Sequence, residues 1–269
     1  FNYVFDRSLY LKQIEGFKKL NKQIYCMYGC IPCVWQGGRF LTEKPDWNWL
    51  EEQIKVINEN NISIFVNMSA YNIYENELDD KDGNRLLEML SNSNINGIII
   101  SNDMFSKYAY KTYPKLKQKV SILKSTYEHP KIDSRTANYY NDLLDRFDEI
   151  CINTNDCRNI GMLKGIKDKS RLEVLINQGC IRNCPYAVKH YEIHSTNQKE
   201  YCNKRTDPKI LKKNYDFICP ATNNILKLSM KDFEIKKLGQ IGITKLKLAG
   251  RDKNELSLML QQILKNIKV

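Results

Sequence analysis

The sequence predicts an α/β fold, a (β/α)8 barrel of the TIM type, because short β-rich runs alternate with helical segments from end to end. Runs such as "GIII" and "LEVLI" are apolar without a polar alternation, which is typical of strands buried on both faces of a parallel sheet. Eight such runs within 269 residues match the size of a barrel. A doubly wound open sheet is the alternative, since periodicity does not distinguish a closed sheet from an open one.

Each predicted strand is a short apolar or β-branched run, and the segments between the strands have the apolar spacing of helices. The strands are expected at 2–5, 23–28, 63–67, 97–101, 120–125, 149–153, 172–177 and 245–249. The helices are expected at 8–20, 47–60, 83–92, 104–119, 134–147, 156–165 and 253–266. No glycine-rich nucleotide fingerprint follows the first strand, where "FDRSLY" stands instead.

The connection between the last two predicted strands is about twice as long as the others, with about 67 residues between Asn177 and Lys245. Connections of this length within a compact domain usually have a function. We therefore expect one domain over residues 1–269 that contains a functional insertion at 178–244.

The net charge is +11, from 42 Lys and Arg residues against 31 Asp and Glu residues, which permits binding to a polyanion such as RNA. Most of this excess is lysine spread along helical segments rich in Asn and Ile, which also fits a compositional bias of the coding sequence. No run approaches 18 apolar residues, so no membrane partner is expected.

Nine cysteines form no regular disulfide framework, and this usage favours a reducing, cytoplasmic location in which thiolates serve as ligands. Four of them lie in the insertion: Cys180, Cys184, Cys202 and Cys219. Four thiolates can hold an iron–sulfur cluster or a zinc ion. Only the first two are close in sequence, whereas zinc knuckles usually have two close pairs, so the spacing favours a cluster.

Two runs at the end of the chain resemble peptidase family U32. The run "LEVLINQGCIRNCPY" resembles the family signature, in which a Glu opens a barrel strand and a small residue precedes a cysteine. The run "ITKLKLAGRD" resembles the family's strand that ends in a Lys-x-x-Gly-Arg type motif, and "YDFICPATNNILKL" resembles its aromatic–Ile–x–Pro segment. The resemblance covers residues 172–252. The short Cys180–Cys184 spacing and Ala249 depart from the family pattern and indicate a divergent member.

The resemblance implies a barrel with a [4Fe-4S] cluster on Cys180, Cys184, Cys202 and Cys219. It further implies an oxidoreductase similar to the family's oxygen-independent hydroxylases, acting on a small metabolite or an RNA base with an electron donor or accessory protein as partner. Two alternatives stay open: a zinc-stabilised binding barrel without redox activity, and a U32-type peptidase.

Polar residues that end or follow the predicted strands are candidates for the site, because in a barrel their side chains reach the edge where the loops build active sites. Substrate contacts are expected from Arg39, Asn67, Asn102, Asn153 and Asn177, although an Asn in such a place can also cap the next helix.

Catalytic roles are expected for His190 and His194 in proton transfer and for Arg251 in holding an anionic group. The two histidines can equally be ordinary polar residues of the insertion. The C-x-x-C pair formed by Cys30 and Cys33 lies on the same predicted edge and can be a redox dithiol or half of a metal site.

Overall fold

A computed structural model describes residues 24–131, 135–177, 183–204, 206–207, 210–211 and 230–248 of the chain. The chain forms two compact units, each assembled from two separate stretches of sequence. Unit 1 comprises Phe1–Tyr127 and Tyr186–Phe217, and unit 2 comprises Glu128–Pro185 and Ile218–Val269.

The described strands are β1 (Cys26–Gly29), β2 (Ser63–Met68), β3 (Gly97–Ile100), β4 (Lys117–Val120), β5 (Glu149–Ile152), β6 (Leu172–Leu175) and β7 (Lys245–Lys247). The described helices are α1 (Trp47–Glu59), α2 (Lys81–Leu90), α3 (Asp103–Thr112), α4 (Ile122–Glu128), α5 (Ala137–Leu144), α6 (Ile160–Lys164), α7 (Ala187–Lys204) and α8 (Asp232–Gln240).

In unit 1, strands β1 to β4 pair in parallel in the order of the chain. Parallel neighbours need a crossover, and α1, α2 and α3 supply one between each pair of strands. Each of these helices begins at an Asp or Asn whose side chain accepts backbone N–H groups of the first turn, namely Asp46, Asp80 and Asn102. The predicted alternation of strands and helices is therefore confirmed in this unit.

One face of the unit 1 sheet carries Phe65, Asn67 and Lys119, because side chains alternate along a strand and these positions are related by the register. We call it the Asn67 face. Gly97 also lies on this face, and a Cβ atom there would come within 2.4 Å of the Phe65 ring. The missing side chain leaves room for that ring, and Lys119 Nζ lies 4.3 Å from the ring centroid.

In unit 2, strands β5, β6 and β7 pair in parallel, again in chain order. One face of this sheet is apolar, whereas the other carries Glu149 and Glu173 opposite Lys245 and Lys247. The parallel α/β architecture is confirmed in both units. The eight-stranded barrel stays a prediction, as does the single domain with an insertion, and the first strand expected at 2–5 lies outside the described residues.

The strand predicted at 120–125 is wrong. The strand there ends at Val120, and residues 122–128 form α4. Lys117, Gln118 and Lys119 made the true strand look like the end of a helix, yet the Gln118 side chain bonds Ser106 and Lys119 is fully buried on the Asn67 face. The helices α7 and α8, inside the insertion, were not predicted.

Among the residues that the structure describes, no helix is long and apolar enough to cross a membrane.

Candidate functional site

The carboxyl ends of β2 and β3 carry three buried polar groups. Asn67 lies near the end of β2, Ser69 directly follows that strand, and Ser101 directly follows β3. Register and alternation place all three on the Asn67 face. Ser69 and Ser101 are fully buried. Within the described ranges, Asn67 Oδ1, Ser69 Oγ and Ser101 Oγ have no hydrogen-bond partner.

The loop 36–39 closes over these groups. Ala70 N donates to Trp35 O at 2.8 Å, so the loop runs along the end of β2. At Gly37 a Cβ atom would lie 2.5 Å from the Ala70 Cα, and at Gly38 it would lie 2.8 Å from Asn67 Nδ2. Only glycines allow this approach.

The buried Gln36 side chain shapes the turn that presents Arg39. Its Oε1 accepts from Gly38 N at 2.6 Å, and its Nε2 donates to Arg39 O at 2.5 Å. The predicted substrate residues Arg39 and Asn67 thus belong to one loop-and-strand arrangement, with Arg39 half-buried.

Helix α7 packs against the loops that follow β1 and β2. Gln198 is fully buried and exchanges two hydrogen bonds with the Leu41 backbone, at 2.7 and 3.0 Å. Ser195 Oγ donates to Asn72 Oδ1 at 2.7 Å. The Tyr201 hydroxyl donates to Thr42 O at 2.7 Å. These contacts fix the predicted insertion's helix at the carboxyl edge of the unit 1 strands.

Lys199 provides the charged anchor of α7. Its Nζ donates to Glu77 Oε2 at 2.6 Å and to Asn72 O, and it lies 4.8 Å from the centroid of the Tyr74 ring. Both side chains of the ion pair are only 11% exposed, so the charges are largely removed from water. No sequence signal indicated this role of Lys199, because the helix that carries it was not predicted.

Three thiols and one carboxyl group influence one another in unit 1. Burial raises the pKa of Cys33 well above its usual value, and the nearby Asp80, Cys202 and Cys30 raise it further. Burial also raises the pKa of Cys202 to about 11, although the Gln198 amide, which donates to its Sγ at 3.3 Å, acts in the opposite direction. The sequence did not predict that Cys202 lies near the C-x-x-C pair.

These thiols are protonated at neutral pH unless a cation or an oxidant acts on them. Metal binding requires the thiolate form and displaces the proton. Among the described residues, no three His, Cys, Asp or Glu side chains converge to hold a metal ion. Of the four predicted ligands, Cys184 is half-buried in unit 2 and Cys202 is half-buried in unit 1, while Cys180 and Cys219 lie outside the described residues.

The two predicted catalytic histidines meet on one face of α7. The Nε2 atoms of His190 and His194 lie 2.7 Å apart, and their ring centroids are 4.6 Å apart. One ring therefore carries a proton on Nε2 and the other presents a lone pair. The remaining predicted catalytic residue, Arg251, lies outside the described residues.

The other predicted substrate residues have structural contacts. Asn102 caps α3 by accepting from Phe105 N at 2.8 Å, and it also donates to Tyr71 O at 2.7 Å. In unit 2, buried Asn153 follows β5 and accepts from Asn155 N at 3.1 Å, and half-buried Asn177 follows β6. A substrate contact from these three residues stays a prediction.

A buried ion pair in unit 2 gave no recognisable sequence signal. Arg135 contacts both carboxylate oxygens of Asp156, at 2.5 and 3.1 Å, and the Tyr140 hydroxyl donates to the same carboxylate at 2.6 Å. Arg135 and Asp156 are 4% and 3% exposed. The two residues are distant in sequence, and their ion pair joins the chain before α5 to the chain after β5.

Comparison with known proteins supports the fold. No protein-family model matches the sequence, and no curated protein matches it. Among solved structures, the chain is similar to a U32 peptidase, with a TM-score of 0.52 and 14% sequence identity over 87% of each chain. The resemblance to family U32 is thus confirmed as a likeness of fold.

Proposed function

We propose that this chain is a divergent enzyme of the U32 type whose substrate is a small polar molecule or an RNA base. The observation that carries the proposal is the group of polar atoms at Asn67, Ser69 and Ser101, which have no partner in the described part of the chain. A buried polar atom without a hydrogen bond costs about 1–3 kcal/mol. A ligand with hydrogen-bonding groups would recover this free energy, and the fold's likeness to a U32 peptidase supports an enzyme.

The reaction that we propose is an oxygen-independent hydroxylation or a related redox modification. With water as the source of the oxygen atom, hydroxylation releases two electrons and two protons, so the reaction needs an electron acceptor. A [4Fe-4S] cluster would supply the electron transfer to that acceptor when bound. Its ligands would be Cys180, Cys184, Cys202 and Cys219. The surroundings of Cys202 fit such a ligand, because an N–H group donated to sulfur, here from Gln198, stabilises a metal-bound thiolate.

Arginines and histidines have supporting roles in this proposal. Arg39, held by the loop 36–39, and Arg251 would orient an anionic group of the substrate through their planar guanidinium groups. The histidine pair of α7 would move a proton, since one ring nitrogen donates and the other accepts at 2.7 Å.

Hydrolysis of a peptide is the second candidate, because the similar solved structure is that of a U32 peptidase. A peptidase needs no electron acceptor or donor, because hydrolysis transfers no electrons. A zinc-stabilised barrel without redox activity would use the same cysteines but would bind one metal ion per chain.

The deciding experiment is purification without oxygen, followed by a visible spectrum and by assays of iron, sulfide and zinc. About four iron and four sulfide per chain would support the proposal. About one zinc per chain would replace it with the zinc-stabilised barrel. Metal-free protein that cleaves peptides without an electron donor would replace it with the peptidase, and metal-free protein without hydrolysis would refute all three.

Matched cysteine variants test the ligands. Cys184→Ser and Cys202→Ser should each lower the bound iron at least twofold. Cys151→Ser should leave the iron content unchanged, because Cys151 is buried within β5 and is not among the predicted ligands. If the wild type and the three variants bound equal amounts of iron, the proposed ligand set would be excluded.

A further inference from the structure

We infer that His190 and His194 form a binding site for a divalent transition-metal ion on α7, separate from the cysteines. The inference goes beyond the proposed function and does not depend on an iron–sulfur cluster: it gives the pair a second state, in which a bound ion takes the place of the shared proton and the pair no longer transfers it. It starts from the 2.7 Å distance between the two Nε2 atoms.

The geometry is that of a helix chelate. Residues four apart lie one above the other on a helix, and α7 runs for 18 residues without interruption. The His190 ring lies parallel to the Tyr191 ring, with an angle of 9° and a centroid distance of 5.7 Å, which restricts its rotation. Ser195 and Lys199, in the next turns, fix the helix to the Asn72 backbone and side chain. The two rings therefore converge from a supported backbone.

An ion can replace the bridging proton with little movement. Two ligands bound at about 2.0–2.1 Å, at angles between octahedral and tetrahedral, lie about 2.9–3.3 Å apart. The nitrogens at 2.7 Å need to separate by only a few tenths of an ångström. For a neutral pair, the donating ring moves its proton from Nε2 to Nδ1. Both lone pairs then face the ion, and the number of protons on the pair is unchanged.

The donor set selects the kind of ion. Imidazole nitrogens suit Zn²⁺, Cu²⁺, Ni²⁺ and Co²⁺, whereas Mg²⁺ and Ca²⁺ prefer oxygen ligands. No third His, Cys, Asp or Glu joins the pair among the described residues. Water or an oxygen atom of a ligand would complete the coordination of the ion, as in catalytic metal sites. Both rings are half-buried, so an ion can reach them.

The test is a ZnCl2 titration of the full chain labelled with ¹⁵N-histidine, followed by NMR of the ring nitrogens. The chain contains three histidines, so three sets of signals suffice. One equivalent of Zn²⁺ should shift the signals of His190 and His194 and leave those of His129 in place. Zinc that moves neither of the α7 histidines, even in excess over the nine thiols of the chain, would overturn the inference.

Three variants complete the test, with helicity checked by circular dichroism. His190→Ala and His194→Ala should each raise the Kd for Zn²⁺ at the remaining ring at least tenfold. Exchanging two residues, by Glu192→His with His194→Glu, keeps the composition but puts the rings two positions apart and should abolish chelation. Unchanged affinity in these variants would overturn the inference. The wild-type NMR spectrum tests zinc binding by the α7 histidines even if a variant fails to fold. The result does not depend on the iron content, so this inference and the proposed function can fail separately.

Discussion

Lys247 Nζ lies 3.1 Å from Glu173 Oε1, on the neighbouring strands β7 and β6. The Lys247 and Glu173 side chains are 12% and 4% exposed, so this ion pair is largely buried. Glu173 belongs to the run "LEVLINQGCIRNCPY" and Lys247 to "ITKLKLAGRD", two of the runs on which the resemblance to family U32 rests. The two motifs are therefore joined in space by their charged residues.

Loss of Lys247 should destabilise the protein. Lys247→Met leaves the buried Glu173 carboxylate without this counter-charge, and breaking a buried pair costs about 3–5 kcal/mol. Urea unfolding should show a loss in this range, and the double variant Glu173→Leu/Lys247→Met should recover most of it. Lys167→Met, whose partner is the exposed Asp145, is the control and should change the free energy of unfolding by less than about 1 kcal/mol. A single variant as stable as the control would contradict the role of the pair.

The ion pair between Arg158 and Glu234 should stabilise unit 2 only above acidic pH. Their closest nitrogen and oxygen atoms are 2.6 Å apart. Burial alone would raise the pKa of Glu234, but hydrogen bonds from Arg158 and from the Lys231 backbone outweigh it, and the pKa is lowered. A lowered folded-state pKa gives stability that is present above the unfolded value and is lost as pH falls through the folded value.

Arg158→Gln should therefore cost about 1 kcal/mol or less at pH 7, because the pair is partly solvated. The difference from the wild type should shrink as the pH is lowered below 4. Urea unfolding of both proteins at several pH values measures this. A difference that is independent of pH would show that Arg158 acts by packing and not by its charge.

Ser101→Ala should leave the ligand-free protein as stable as the wild type or more stable, by up to about 1 kcal/mol. The reason is that Ser101 Oγ is buried without a partner in the described part of the chain. Ser106→Ala is the matched control, because Ser106 Oγ donates to Gln118 Oε1 at 2.5 Å, and it should lose about 1 kcal/mol. Thermal unfolding of the two variants compares them. If Ser101→Ala lost more stability than Ser106→Ala, the Ser101 hydroxyl would serve the fold and not a ligand.

Cys202 should react slowly with iodoacetamide in metal-free protein. Its pKa of about 11 leaves roughly a hundredth of the thiolate that an ordinary cysteine has at pH 8. The rate should rise about tenfold per pH unit up to about pH 10 and level off above pH 11, as read by mass spectrometry of the Cys202 peptide. Gln198→Ala should slow the reaction at pH 8 further, because the Gln198 N–H group lowers the pKa of this thiol and its removal therefore raises that pKa. Rapid alkylation at pH 8 would contradict the burial of this sulfur.

The parallel strands could be predicted because their apolar residues are consecutive. "GIII" is buried at all four positions of β3, and "LEVL" at all four of β6. Periodicity failed at β4, whose run "KQKV" has the composition of a solvated helix end. There the packing decides, since Lys119 lies against the Phe65 ring and near Cys26 Sγ, at 3.8 Å. Such contacts join residues distant in sequence and leave no local pattern.

The site was predictable in part for the same reason. Asn67 could be found because it lies at the end of a strand, and Arg39 because it lies in the loop after one, whereas Ser69 and Ser101 are small residues of a common type. Helix α7 was missed because its buried residues are polar: Ser195, Asn197, Gln198 and Lys199. A polar stripe that binds other polar groups does not have the apolar spacing by which amphipathic helices are recognised.

The two hydrogen bonds between Gln198 and Leu41 join residues that are 157 positions apart. Unit 1 therefore cannot be completed on the ribosome until α7 has been synthesised, long after its four strands have emerged. In the interval the loops after β1 and β2 lack their covering helix, and unit 2 begins to form from the intervening sequence. Such long-range closure slows folding and exposes a partly covered intermediate to aggregation. The order of the two units along the chain thus makes the completion of unit 1 a late event in synthesis.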